Sequence, residues 1–355
     1  MRVRGLAGPC LAVGMSLSCT MLPTFRSDPP AFAAPEMASV EDLDPFPNWS
    51  VSPDEIEALL ERGGHNEVLV SEAKGGTTGA RKVQLHNVSS DRTFGVKWKA
   101  MTPPRWVDVL PFAPGMLDGV NNSPRKEIAA WKIQQLLFDP SDYVVPTAFP
   151  LCISLETARK VDGSAEPTLE GSRCVLGLVS LWMQDVTLPD PLLDAERFRS
   201  DPVYAYYLAN FNLLTYVIEH HDGRQGNFLV SADDARRQVF SIDNGVSFGG
   251  IFYNWFVANW SDIRVPALRK ASIDRLRQLE EADLQRALGV LAELRLDDEG
   301  VFEPVPPGAN LDGDDGIRYA EGRLQLGLTD DEIEDVWERI RDLVEAVDDG
   351  DVPVF

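Results

Sequence analysis

The sequence is poor in cysteine, histidine and positive charge, with four cysteines and four histidines in 355 residues. No thiolate or imidazole cluster with metal-ligand spacing is visible, so a soft-ligand metal centre is excluded as the organising chemistry. Thirty-three basic residues against 56 acidic ones give a formal charge of −23, which repels nucleic-acid backbones and anionic lipid over most of the surface. Such macromolecular polyanions are poor partners, but a small anionic ligand is not, because salt screens a distant field within about 10 Å. The acidic excess also serves as an ordinary solubility device. No internal repeat is present. With 44% hydrophobic residues the chain is too long and too apolar for a disordered tail or a disulfide miniprotein, and it is able to bury a full core.

Arg2 and Arg4 precede an uncharged apolar stretch from Gly5 to Pro23, and Ala31 and Ala33 flank Phe32 as a signal peptidase site requires. This pattern predicts a signal peptide over residues 1–33 and export to a periplasmic or extracellular space. Pro9 and Gly14 make the stretch a weak membrane span, and no integral membrane segment is expected in the mature chain. Lipid attachment at Cys19 is an alternative, although Leu17 stands one place from the position a lipobox uses. Cleavage leaves Cys152 and Cys174, in two strand-like runs separated by a polar stretch that reads as a long hairpin loop. The pair has two readings, a disulfide across that hairpin or two buried free thiols.

Residues 34–50 are rich in Pro, Asp and Glu and read as a linker. Ser52, Pro53 and Glu55 then combine an N-cap, a first-turn proline and a capping-box acid, which predicts a helix burying Ile56, Leu59 and Leu60. A glycine-rich turn, Gly75, Gly76, Thr77, Thr78 and Gly79, feeds a strand over 82–85, a turn at Ser89 to Asp91 and a second strand from Phe94 to Lys99. Ser123 and Pro124 open a helix with Ala129, Ile133, Leu136 and Leu137 at helical spacing. Strand-like runs continue to about Gly177. Beyond them Asp201 and Pro202 open a helix, apolar on all sides, to about Glu219, and the segments 272–295 and 329–347 are amphipathic. The expected fold is α+β and two-lobed, a strand-rich half over 51–180 and a helix-rich half over 181–355.

The most informative stretch runs from His220 to Val230 and on through Phe240 to Gly245. Asp222 and Asn227 lie five apart on a polar loop, and Asp243 closes the next strand, so a short hairpin brings the three side chains to one end. Phosphoryl transfer needs such a set: a carboxylate to orient and deprotonate a hydroxyl, and an amide plus a second carboxylate to hold Mg2+ or Mn2+ on the phosphates. Hard oxygen donors suit those ions. The first half offers matching donors. The backbone of Gly75, Gly76, Thr77, Thr78 and Gly79 suits phosphate oxygens; Lys97 and Lys99 share one strand face, and either reaches the α- and β-phosphates of ATP; Glu127, early in the next helix, suits the role of holding that lysine.

Four of these segments resemble a family. Arg125 to Leu137, followed by Val145 and Pro146, resembles the glutamate-bearing helix of the Fam20-type secretory-pathway kinases, and Ile242 to Gly249 resembles their metal-binding Asp-Asn-Gly segment. Val96 to Ala100 is similar to the strand carrying the family's nucleotide lysine, an alignment that favours Lys99 over Lys97. The spacing of Asp222 and Asn227 is also similar to the catalytic loop of the phosphatidylinositol kinase and HipA branches of the same atypical kinase group. The resemblance spans about residues 75–250 and implies a two-lobed protein-kinase-like fold with the nucleotide between the lobes. It implies Asp222 as base, Asn227 and Asp243 as metal ligands, and a hydroxyl-bearing protein, glycan or lipid acceptor. The catalytic loop departs from the family's Asp-Arg-His, with Gly223 and Arg224 after Asp222. A pseudokinase with a binding or regulatory role is the alternative.

Each residue also has a plainer reading. Asp222 and Asn227 fit turn caps, Asp243 with Asn244 and Gly245 fits a tight hairpin turn, and Lys99 fits a solvated strand lysine. Glu127 fits an acid favoured by the helix dipole. Of His220 and His221, one is expected to be structural and His221 to orient the loop. Gly245, Ser247 and Gly249 match a hydrolase elbow, but no histidine follows His221 to serve it. Asn310 to Glu321 resembles a calcium loop with Asp315 where the turn needs glycine, and reads as an acidic surface loop.

Overall fold

The computed structural model describes residues 46–61, 66–74, 80–88, 90–101, 123–161, 163–189, 192–233, 237–249 and 260–355. The expected signal peptide, most of the expected linker and the glycine-rich turn lie outside the described residues. The end of the linker is not a spacer but part of the core. Asn48 Nδ2 donates to the carbonyls of Gln184 and Asp185 at 2.9 and 3.0 Å, and the Trp49 ring lies 6.2 Å from that of Trp131. Two aromatic side chains, Phe46 and Trp49, have more apolar surface to bury than a solvated linker tolerates.

Helix α1 (Pro53–Glu61) starts at its cap, with the Glu55 amide donating to Ser52 Oγ at 3.4 Å and Ile56 fully buried. The strands β1 (Asn66–Lys74), β2 (Arg81–Asn87) and β3 (Arg92–Ala100) follow, then helix α2 (Pro124–Leu137), strand β4 (Ala148–Ser154), helix α3 (Leu155–Val161) and strand β5 (Cys174–Leu181). The strands form one antiparallel sheet of order β1-β2-β3-β5-β4. On β3, Phe94, Val96 and Trp98 alternate into the core, and α2 buries Ile128, Ala129 and Ile133. Gly177 has no room for a side chain because the Trp98 indole lies against it. The stretch expected as a plain hairpin loop between the cysteines carries α3. Cys152 and Cys174 are joined as a disulfide, with Cα atoms 5.6 Å apart.

After β6 (Val186–Thr187) and the short helix α4 (Ala195–Ser200), helix α5 (Pro202–Val217) begins where Asp201 accepts from the amides of Val203 and Tyr204. Its residues are buried nearly all round, as the apolar sequence predicts. Strands β7 (Phe228–Ser231) and β8 (Val239–Ser241) form the expected hairpin, with β6 beside β7.

Among its helices the second half also holds a sheet that the sequence does not predict. The predicted amphipathic helix over 272–295 is two helices, α6 (Lys270–Leu276) and α7 (Glu281–Leu288), and a strand, β9 (Ala292–Leu296). Glu280 and Asp283 form a capping box that restarts the chain as α7, and Gly289 follows its last turn. β9 then joins β10 (Phe302–Val305), β11 (Ile317–Ala320) and β12 (Arg323–Leu326) in an antiparallel sheet of order β10-β9-β12-β11. Helix α8 (Asp330–Asp348) opens on a Thr329/Glu332 capping box and buries Ile333, Val336, Ile340 and Leu343. The class is therefore α+β, built from several antiparallel sheets and helices. Contacts run back from this end of the chain to its first half: the Arg173 amide donates to the Gly300 carbonyl, and Glu332 binds Arg125. Among the described residues no helix is long and apolar enough to cross a membrane.

Candidate functional site

The period-two geometry of β3 puts Lys97 and Lys99 on one face, and both amines meet the glutamate of the first turn of α2. Lys97 Nζ lies 3.0 Å from Glu127 Oε2 and 3.6 Å from Asp243 Oδ1, while Lys99 Nζ lies 3.7 Å from Glu127 Oε1 and 3.6 Å from Asp243 Oδ1. Two cations thus share two carboxylates supplied by a helix and by the turn after β8. The lysines differ in access: the Lys99 side chain is 1% exposed and that of Lys97 19%, with Asp243 at 23%. Both lysines that the sequence offers thus meet the carboxylates, Lys99 the deeper and Lys97 the more accessible.

Their charges sustain one another. Burial alone would lower the Lys97 pKa, but the attraction of Glu127 and Asp243 outweighs it and holds the group at about 12. Burial likewise favours neutral Asp243, yet Lys97, Lys99 and Arg224 together hold its carboxyl far below the usual carboxylate range. Asp243 adopts a left-handed backbone, φ 60°. A non-glycine residue in that region costs about 1 kcal/mol or more, and the ion pairs offset it.

Asp222 and Asn227 sit at the adjoining end of the β7–β8 hairpin. Asn227 closes a 3-10 turn (Gln225–Asn227), its Nδ2 donating to the Asp222 carbonyl at 2.9 Å, while its own carbonyl accepts from the Ile242 amide, one residue before Asp243. Asp222 is 7% exposed, and its Oδ2 lies 2.9 Å from the Arg224 guanidinium. Arg224 is thus the basic side chain that pairs with this carboxylate.

The two histidines have different surroundings. His221 Nε2 lies 3.3 Å from Glu219 Oε1, and its amide donates to the Val246 carbonyl, which ties the Asp222 loop to the turn after Asp243. His220 is fully buried beside Phe228, with ring centroids 5.5 Å apart, and neither ring nitrogen has a partner among the described residues. Burial pushes its pKa down to about 4, against the attraction of Asp222 and Asp243, so it is neutral at physiological pH.

Gly75, Gly76, Thr77, Thr78 and Gly79 lie outside the described residues. The strands they connect end at Lys74 and begin at Arg81, which pairs with Trp98, between the two lysines. Among the described residues no group of three His, Cys, Asp or Glu side chains is arranged to hold a metal ion by itself. Besides Glu127 and Asp222, which pair with Lys97 and Arg224, the oxygen donors expected for a metal are Asp243 and the Asn227 side-chain oxygen, whose amide nitrogen donates to the Asp222 carbonyl. That hard-oxygen pair fits an ion such as Mg2+ that takes most of its shell from phosphates and water.

Cavities of about 790 and 650 Å3 lie elsewhere, the first along β4 and β10 and the second between α6 and α8. Neither touches Lys97, Lys99, Glu127, Asp222, Asn227 or Asp243. What marks the site among the described residues is the convergence of buried charge. The acidic stretch 310–321 is partly strand, as β11, and is not a calcium loop of the helix-flanked kind.

Sequence reasoning missed Arg125, Lys126 and Glu332. Lys126 Nζ donates to the Phe248 carbonyl at 3.0 Å and lies 3.3 Å from Glu332 Oε1, while Arg125 grips Glu332 through two bonds of 2.5 and 3.0 Å. The signal was two cations in the first turn of a helix, where the dipole disfavours them. No family model matches the chain, and no curated protein matches it.

Proposed function

We propose that this chain is an exported phosphotransferase of the Fam20-like kinase type, dependent on ATP and on Mg2+ or Mn2+, that phosphorylates a hydroxyl-bearing protein, glycan or lipid. In this reading the fold is two-lobed and protein-kinase-like, with the nucleotide between the strand-rich first half and the rest. The observation that carries it is Lys99 Nζ standing 3.7 Å from Glu127 and 3.6 Å from Asp243, three residues from a strand, a helix and a post-hairpin turn. Their order along the chain, with the Asp222 to Asn227 loop before the hairpin, is the order the family resemblance requires. The Cys152–Cys174 disulfide supports an oxidising compartment and hence export.

Lys97 and Lys99 neutralise the α- and β-phosphates, and Glu127 holds the amines in place. Asn227 and Asp243 would hold the metal ion, which would supply charge neutralisation on the phosphate oxygens. Asp222 orients the acceptor hydroxyl and takes its proton as the oxygen bonds to the γ-phosphorus, while the bond to the leaving ADP oxygen breaks. Such positioned proton acceptors contribute about 10²- to 10⁴-fold.

One observation favours the pseudokinase alternative: the Asp222 carboxylate is engaged by Arg224 at 2.9 Å. The deciding experiment incubates the mature chain with γ-labelled ATP, Mn2+ and protein, glycan and lipid acceptors. The phosphotransferase reading expects labelled product that falls about 10²-fold or more in Asp222→Ala. Nucleotide binding without transfer to any acceptor class, or to water, overturns it in favour of a nucleotide-binding regulator.

A further inference from the structure

The turn after Asp243 is strained and anchored at once. Asp243 and Phe248, at its two ends, both have left-handed backbones, with φ of 60° and 56°. Non-glycine residues persist there only where their surroundings over-determine the backbone. On one side the Phe248 amide donates to the Ile218 carbonyl, the His221 amide to the Val246 carbonyl, and Asn244 bonds Ser241; on the other stands the first turn of α2. The Ser123 amide donates to the Gly245 carbonyl at 3.0 Å, and Lys126 Nζ donates to the Phe248 carbonyl at 3.0 Å. Ser123 makes no side-chain cap on its helix; its backbone holds the turn instead. On the neighbouring face of the same helical turn, Glu127 meets Lys97 and Lys99.

Lys126 is poorly placed for helix stability. It is 2% exposed, next to Arg125 at 5%, and both stand where the helix N-terminus is already positive. Unpaired buried cations there would be strongly unfavourable. Glu332 on α8 compensates both, bonding Arg125 and lying 3.3 Å from Lys126. Glu332 is itself fixed as the reciprocal partner of Thr329 in the capping box of α8. A chain of contacts therefore runs from α8 through Glu332 and Lys126 to the turn that carries Asp243.

We propose that Lys126, neutralised by Glu332 of α8, is a positioning residue that holds the Asn244–Phe248 turn, and with it Asp243, in register with Glu127. This role rests on the reading of Asp243 as a metal ligand. Partners that orient a ligand residue without touching the ion change metal affinity by about 10- to 100-fold when removed.

The test compares the full mature chain with Lys126→Met. Methionine keeps the length of the side chain and leaves Glu332 bonded to Arg125, so no buried carboxylate is orphaned. Two readouts are taken: amide hydrogen exchange of residues 244–248, and half-saturation by Mn2+ and by ATP in a binding titration. The expected result is exchange faster by about tenfold in that turn, and a Mn2+ half-saturation raised about tenfold, with ATP affinity at saturating Mn2+ within about twofold of wild type. A general loss of packing would instead weaken ATP and Mn2+ together. Glu332→Gln, which keeps an acceptor for the Thr329 amide but loses the charge, is expected to move the Mn2+ value in the same direction. Wild-type binding of nucleotide and metal with an unchanged Mn2+ value in Lys126→Met overturns the positioning role alone. Absence of metal-dependent nucleotide binding in the wild-type chain overturns the kinase reading and this role with it.

Discussion

Mild acid should destabilise this protein through one residue, His220. Its ring is fully buried against Phe228, and burial pushes its pKa from the ordinary 6.5 down to about 4. The unfolded chain then binds a proton at about pH 6.5, whereas the folded chain refuses it until about pH 4. Stability contributed by neutral His220 is intact above pH 6.5, is lost as pH falls between those values, and changes no further below about 4. At about 1.4 kcal/mol per pH unit the whole loss is about 3 kcal/mol, of which about 1.4 kcal/mol is gone by pH 5.5. The assay is urea unfolding at several pH values between 7.5 and 4.5, for wild type and His220→Leu. The leucine variant loses stability at pH 7.5 from altered packing, but it lacks the His220 contribution to the pH slope. The difference between the two proteins should therefore change by about 2.5 kcal/mol between pH 7.5 and 4.5, in the direction that costs wild type. Parallel pH profiles would refute the assignment of a neutral, partnerless His220.

Other expectations follow from the same contacts. Glu332→Ala leaves Arg125 and Lys126 buried without their carboxylate and should destabilise the fold by about 3 to 5 kcal/mol in denaturant titration; a change under about 1 kcal/mol would mean water reaches those cations. Cys152→Ser should lower stability by about 3 kcal/mol, the chain-entropy value for a closed loop of this size, given a separation of 22 residues; an equal stability of reduced and oxidised wild type would contradict it. Lys97→Met should weaken ATP binding less than Lys99→Met, because Lys97 is partly solvated while Lys99 is enclosed with Glu127 and Asp243. Isothermal titration of the two variants with ATP and Mn2+ reads the difference, and the reverse order would assign the nucleotide lysine to position 97.

Local signals made part of this fold legible. Pro53, Pro124, Pro202 and Thr329 each mark a helix start that the structure contains, because capping and first-turn proline act within four residues. The shared face of Lys97 and Lys99, and the β7–β8 hairpin between Asn227 and Asp243, follow from strand periodicity alone. The sheet of β9 to β12 was not legible. Its strands are four or five residues long, β10 carries Pro304, and the run into β9 continues the amphipathic look of α7. Pairing partners such as Leu294 with Leu324 are supplied by tertiary structure, which a local pattern does not encode. At the site, the residues that the structure brings together, Lys97, Lys99, Glu127 and Asp243, were named from motifs, while those that brace them were not. Arg125 and Glu332 are 207 positions apart, and nothing in either neighbourhood names the other.

The proposed nucleotide and metal site is the pair of lysines with Glu127 and Asp243. It is tested most directly by calorimetric titration of the mature chain with ATP in the presence and absence of Mn2+, alongside Asp243→Ala. Metal-dependent binding to the wild-type chain that disappears in the variant while its fold persists is expected. ATP binding that is absent from the wild-type chain, or equally tight in Asp243→Ala, would contradict it.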